Sequence, residues 1–205
     1  SYNYYDGCGG NYNIKNSVFR NVSGSGHLFM IFLIEFSVLS NCYFENLFGL
    51  RLFHFSGTYS FRNAGDIRIK NCRILLNGNE KMQGLFRVHR FRFTSLENIK
   101  AFGQSEDWYT NPLEYLGFSL EARLIVANSI FSGLGSLSNL GLFVIFMNSI
   151  LDLLIEFNTF INSKSKTLGS DFIFNFEQKL PNFLVEFPLD KSFLFSNFGI
   201  KHNIF

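Results

Sequence analysis

The chain has 205 residues, 18% of them aromatic (28 Phe, 8 Tyr and 1 Trp), with only 3 Pro and a net charge of +2. That length holds one domain with a sizeable core and not two comfortable ones, and a composition so rich in large apolar side chains excludes a disordered polymer. The near-neutral balance excludes the strongly basic signature of a nucleic-acid binder.

In chain order, residues 1–13 read as an irregular start. They are polar and aromatic, with no charged segment leading into an apolar one, so they resemble a processed or clipped beginning rather than a targeting peptide. The first patterned stretch is Ile14-Lys15-Asn16-Ser17-Val18-Phe19-Arg20-Asn21, and it returns as Leu39-Ser40-Asn41-Cys42-Tyr43-Phe44-Glu45-Asn46. More degenerate copies lie at 69–74, 96–101, 126–131 and 156–161, with a looser one at 192–197. Their shared Asn residues, Asn16, Asn41, Asn71, Asn98, Asn128 and Asn158, are spaced by 25, 30, 27, 30 and 30 residues. A second marker, Gly26, Gly49, Gly84, Gly117, Gly141 and Gly169, keeps a similar average period. The longest apolar runs, 28–34 and 140–147, fall short of the roughly 18 to 20 residues that a membrane helix needs, so a membrane span is not expected.

Within each period, β-favouring residues alternate with polar ones, as in Asp66-Ile67-Arg68-Ile69-Lys70, and no helical spacing is sustained. A period of 25 to 30 residues carrying about three short strands defines an all-β solenoid in which equivalent residues of successive coils stack about 4.8 Å apart. Six to seven coils are expected, in a single domain over 1–205 and about 30 Å tall. The repeated Asn suits a sharp bend, because Asn tolerates the left-handed backbone region and its amide can hydrogen-bond along a stack. Phe19, Phe44 and Ile74 are then expected to stack inside.

The I-x-N-S-x-F-x-N pattern, best seen at 14–21, resembles the right-handed parallel β-helix of the pectin-lyase-like superfamily. The similarity is closest to the repeats of surface proteins of the polymorphic-outer-membrane type, and it covers about residues 10–200. The G-G-A-I tetrapeptide of that repeat is absent, and Gly9-Gly10-Asn11-Tyr12 matches only its first half. The resemblance implies that any enzymatic member of this fold would cleave polysaccharides with carboxylates clustered on one strand face, helped by Ca²⁺ or an Arg base.

Candidates for such a site are Glu35, Asp66, Arg92, Glu121 and Asp152, which sit five to seven residues before successive anchor Asn residues. Paired carboxylates are needed because one must move a proton while the other stabilises charge. The competing reading is a solvated bend where exposed charges are ordinary. His54 and His89 each lie five residues after a marker glycine and read as stacked ladder residues. They lack a third ligand, so no metal and no cofactor is assigned. Arg87, His89, Arg90 and Arg92, interleaved with Phe86, Phe91 and Phe93, read as a basic strand face. Cys42 and Cys72 each follow an anchor Asn, and their register admits either a disulfide or stacked free thiols. Asn21-Val22-Ser23 is the one N-glycosylation sequon.

The apolar stretch 198–205 starts like another coil, and no amphipathic cap is visible at either end. A segment of a longer protein, or open ends that stack on neighbouring copies, both account for this. The leading expectation is a non-catalytic structural or adhesive module of an extracellular or cell-surface protein. Its partners would be further coils, other copies of itself, or surface glycans and proteins. The alternatives are a polysaccharide lyase or hydrolase using the acidic edge, and a subunit of a membrane complex.

Overall fold

The computed structural model of the chain describes residues 10–57, 65–76, 82–103, 111–117, 122–136, 143–147, 150–162, 164–165, 172–175 and 194–204. Among them every regular element is a β-strand. The chain climbs through β1 (Gly10–Lys15), β2 (Val18–Ser23) and β3 (His27–Ser40), which closes the first coil and opens the second. The second coil continues with β4 (Tyr43–Phe48) and β5 (Arg51–Gly57), and the third is β6 (Asp66–Lys70), β7 (Arg73–Leu75) and β8 (Gly84–His89). Above them come β9 (Phe93–Glu97), β10 (Lys100–Phe102) and β11 (Asn111–Gly117), then β12 (Ala122–Ala127), β13 (Ile130–Ser132), β14 (Gly135–Ser136) and β15 (Phe143–Met147). The last described coil holds β16 (Ile150–Glu156), β17 (Thr159–Ile161), β18 (Lys164–Ser165) and β19 (Phe172–Asn175), and β20 (Leu194–Lys201) lies on β16.

Every strand pairing is parallel and joins one coil to the next, so the molecule is a parallel β-solenoid. One face stacks β1, the C-terminal half of β3, β6, β9, β12, β16 and β20. A second stacks β2, β4, β7, β10, β13 and β17. The third stacks the N-terminal half of β3, β5, β8, β11, β15 and β19. Because β3 belongs to two faces, they form one continuous twelve-stranded sheet.

Alternation decides which side chains enter the lumen. In β6, Ile67 and Ile69 are buried while Arg68 and Lys70 stay outside. Equivalent positions then form ladders. Phe19 stacks on Phe44 with ring centroids 5.0 Å apart and planes 5° from parallel. That row continues in register through Ile74, Ala101, Phe131 and Phe160. On the third face, Phe29, Phe53 and Phe86 stack at 4.8 and 6.1 Å. The two ladders meet edge to face, Phe44 against Phe53 at 5.5 Å and 87°, a geometry that aligns ring edge with π-face.

The bends follow the repeat. Asn16, Asn41, Asn71, Asn98 and Asn128 all have φ between 52 and 55°, the left-handed conformation. Five residues later Asn21, Asn46, Gly133 and Asn162 are left-handed as well, with φ of 53, 52, 63 and 49°. The two asparagines of the motif thus turn the two corners of the short second face.

Three expectations are corrected. The sixth bend is Phe157 (φ 55°), not Asn158. Asn158 is fully buried, where its amide accepts from the Ser129 N–H and donates to the Val126 carbonyl, so it follows the bend as Ser129 and Cys72 do in their coils. The looser seventh copy turns at His202 (φ 55°), while Asn197 lies within β20 opposite Asp152. Strand β1 starts at Gly10, so residues 10–13 are not irregular; they pair with the C-terminal half of β3. The coil count agrees with the expected six to seven: the second and third faces each stack six described strands, and the first stacks seven. In the first coil Ile14, Phe19, Val22, Leu28, Phe29 and Ile31 are only partly buried, because no described strand lies beyond β1 and β2.

Replacing Phe53, which is fully buried between Phe29 and Phe86, by Ala is expected to cost about 3 to 5 kcal/mol in denaturant unfolding. The exposed Lys70→Ala, on a neighbouring face, should stay within about 0.5 kcal/mol.

Candidate functional site

The charged edge lies on the outside of the first face. Register places Phe36, Asp66, Phe93, Arg123, Asp152 and Asn197 in one row. Asp66 and Asp152 are therefore three rungs apart, roughly 14 Å, beyond the 5 to 9.5 Å over which two carboxyl groups share one glycosidic bond. Each is instead held by an arginine. Arg92 donates through Nη2 and Nε to Asp66 Oδ1 at 3.0 and 3.2 Å, and Arg123 Nε lies 3.3 Å from Asp152 Oδ2. Arg20 pairs with Glu45 at 2.9 Å and Lys201 with Glu156 at 3.8 Å in the same manner. Such exposed pairs each contribute at most about 1 kcal/mol. Glu35 lies at the corner of β3, between the residues that pair with β5 and β6, and Glu121 falls outside the described residues. The structure thus unites Asp66 with Arg92 and keeps Asp152 apart from them.

The outer surface of the third face carries a histidine cluster. The rings of His27 and His54 lie 4.8 Å apart and those of His54 and His89 4.9 Å, with the Phe32 ring edge-on to His54 at 5.5 Å. His54 and His89 are not in one row. Register sets His54 opposite Arg87 and Ser56 opposite His89, so the rings touch diagonally. The spacing from Gly49 and Gly84 predicts one row because those glycines are 35 residues apart, whereas the strands pair with an offset of 33, Arg51 to Gly84. His27 follows the marker Gly26 directly rather than by five residues, so the spacing that picks out His54 and His89 does not include it.

Arg87 Nε donates to His89 Nε2 at 2.9 Å, an acceptor that only a neutral imidazole offers. Burial, then the charges of Arg87, His54, Arg90 and Arg51, lowers the His89 pKa to about 3. Burial, then His27, Arg87 and Arg51, lowers that of His54 to about 4. Both nitrogens of His54 are buried without a hydrogen-bond partner. Among the described residues no group of three or more His, Cys, Asp or Glu is placed to hold a metal ion. His54 and His89 are thus neutral, packed groups within a basic frame.

The arginine and phenylalanine strip separates by alternation. Phe86 and Phe91 point into the core, Arg87 is bound to His89 and Arg92 to Asp66, and Phe93 lies 5.4 Å beneath the Arg68 guanidinium. It forms no row of free aromatic faces on which bases would stack.

Cys42 and Cys72 are both buried free thiols. Each sulfur donates to the carbonyl two residues earlier, Ser40 at 3.3 Å and Lys70 at 3.4 Å. Ser17 and Ser129 make the same contact to Lys15 and Ala127, so a small donor follows four of the bends, while the buried Ile99 follows Asn98. Burial pushes the Cys72 thiol up to about 12, which makes it a packing group and not a nucleophile.

No protein-family model matches the chain, and the comparisons with curated proteins and with solved structures give no match.

Because unfolded His54 and His89 take up protons near pH 6.5 while the folded forms resist until about 4 and 3, the unfolded state binds more protons between those values. Their contribution to stability is present above about pH 6.5 and is lost as pH falls toward 4. The urea midpoint should drop between pH 7 and 4.5, and His54→Phe should flatten that slope relative to the unaltered chain.

Proposed function

We propose that the chain is a non-catalytic structural or adhesive β-helix module that associates end to end with other copies of itself. The observation that carries this reading is the first coil. Ile14, Phe19, Val22, Phe29 and Ile31 pair in register with Leu39, Phe44, Leu47, Phe53 and Phe55. The second set is buried and the first is only partly so. What separates the sets is one further rung, and a parallel strand of another copy is its shape complement. Among the described residues nothing pairs with the outer edge of β1 and β2, and an open parallel edge is a template for continuation.

The finer reading is a right-handed β-helix akin to the pectin-lyase-like superfamily and the polymorphic-outer-membrane type of repeat. The motif at 14–21 supports it, since both of its asparagines turn corners. Extracellular or cell-surface placement draws on that resemblance and on the sequon at Asn21. An enzymatic reading would rest on Asp66 and Arg92 alone, and a screen of acidic and neutral polysaccharides with and without Ca²⁺ tests it. Among the described residues no helix is long and apolar enough to cross a membrane.

Sedimentation and electron microscopy of the purified chain over a range of concentrations should show growing linear assemblies. Phe19→Lys, which charges the exposed rung but leaves the coils above intact, should hold the protein as monomers with unchanged circular dichroism. A chain that stays monomeric at every concentration and binds no cell surface overturns the proposal.

A further inference from the structure

The amide ladders have a direction. Nδ2 of Asn41 donates to Oδ1 of Asn16 at 3.1 Å, Asn71 donates to Asn41 at 3.1 Å, and Asn98 to Asn71 at 2.8 Å. At the second corner Asn46 donates to Asn21 at 2.6 Å. Over the first four coils each ladder amide therefore gives its N–H to the coil before it. On the first coil the Oδ1 of Asn21 is taken by Asn46, and its Nδ2 is directed off the edge of β2, where no strand lies among the described residues.

Asn21 is exposed, left-handed at φ 53°, and followed by Val22, which turns toward the core, and by an exposed Ser23. The acceptor nitrogen and the sequon hydroxyl thus both lie at the surface of an edge strand. The other ladder members carry no sequon, and a glycan on Asn41, Asn46, Asn71 or Asn98 would have to displace a ladder bond.

We propose that Asn21 is an N-glycan acceptor and that its glycan caps this edge of the solenoid, so that modification and end-to-end association exclude one another. The reaction forms a bond between Nδ2 and the anomeric carbon of the first sugar. It breaks the bond from that carbon to the pyrophosphate of a lipid-linked oligosaccharide, which leaves with the electron pair, and one amide proton is lost. A branched oligosaccharide rooted there fills the space that a following rung about 4.8 Å away must enter. The inference rests on the end-to-end reading above.

The test expresses the whole chain through a eukaryotic secretory route, beside Ser23→Ala, which removes the sequon and keeps Asn21 in its ladder. Peptide mass mapping reads occupancy of Asn21, and sedimentation with electron microscopy reads assembly. The expected result is a glycosylated, monomeric wild type and an unmodified Ser23→Ala that assembles. An unmodified Asn21 in the secreted wild type, or equal assembly of the glycosylated and unmodified chains, overturns the inference and leaves the end-to-end reading standing. If neither form assembles, the end-to-end reading itself fails and takes the inference with it.

Discussion

The structure depends on one backbone conformation held at one place in each coil. A residue at φ near +55° turns the chain sharply enough for the next strand to run along a new face, and an L-residue other than Asn or Gly rarely sits there without strain. Asparagine tolerates the conformation and, from Asn16 to Asn98, also links each bend to the next through its amide. The bends therefore fall into line, and the strands between them fall into register. Where the bend is Phe157 or His202, the amide link is lost and ring stacking at 5.0 Å and 9° takes its place.

From that alignment the core follows. Fixed corners make position within a coil equivalent to position in the lumen, so like residues meet like, and aromatic rings stack because the rung spacing suits the thickness of two rings. The same alignment sorts the outside. Charges of opposite sign meet across rungs, as in Arg20 with Glu45 and Arg123 with Asp152, and burial, with neighbouring positive charges, keeps His54 and His89 from taking up protons. Much of what looks like a site on the surface results from coil-to-coil equivalence. The first rung differs, because its inner side chains are dressed like those of the core and no described strand covers them.

The repeat made the fold class, the first five bends and the inward rows legible in the sequence, because each rests on a local rule: Asn at a left-handed bend, alternation within a strand. It failed where local identity and stacking position part. Asn158 kept the spelling of the anchor, but its side chain satisfies a buried N–H and a buried carbonyl one place later, and Phe157 takes the strained bend. The acidic edge failed for a related reason. Counting back from an anchor locates a residue along the chain to within one or two positions, yet a single step reverses the face, and only the strand pairing reveals that an arginine stands between Asp66 and Asp152. The histidine cluster was out of reach because its members touch diagonally across rungs.

Strand β3 gives the stack a mechanical property. Its fourteen residues turn the corner between two faces without a loop, and its C-terminal half is hydrogen-bonded to both β1 and β6 while its N-terminal half holds β5. Force drawn along the chain from the first coil is therefore delivered into three strands at once. The first two coils therefore share the load as one body.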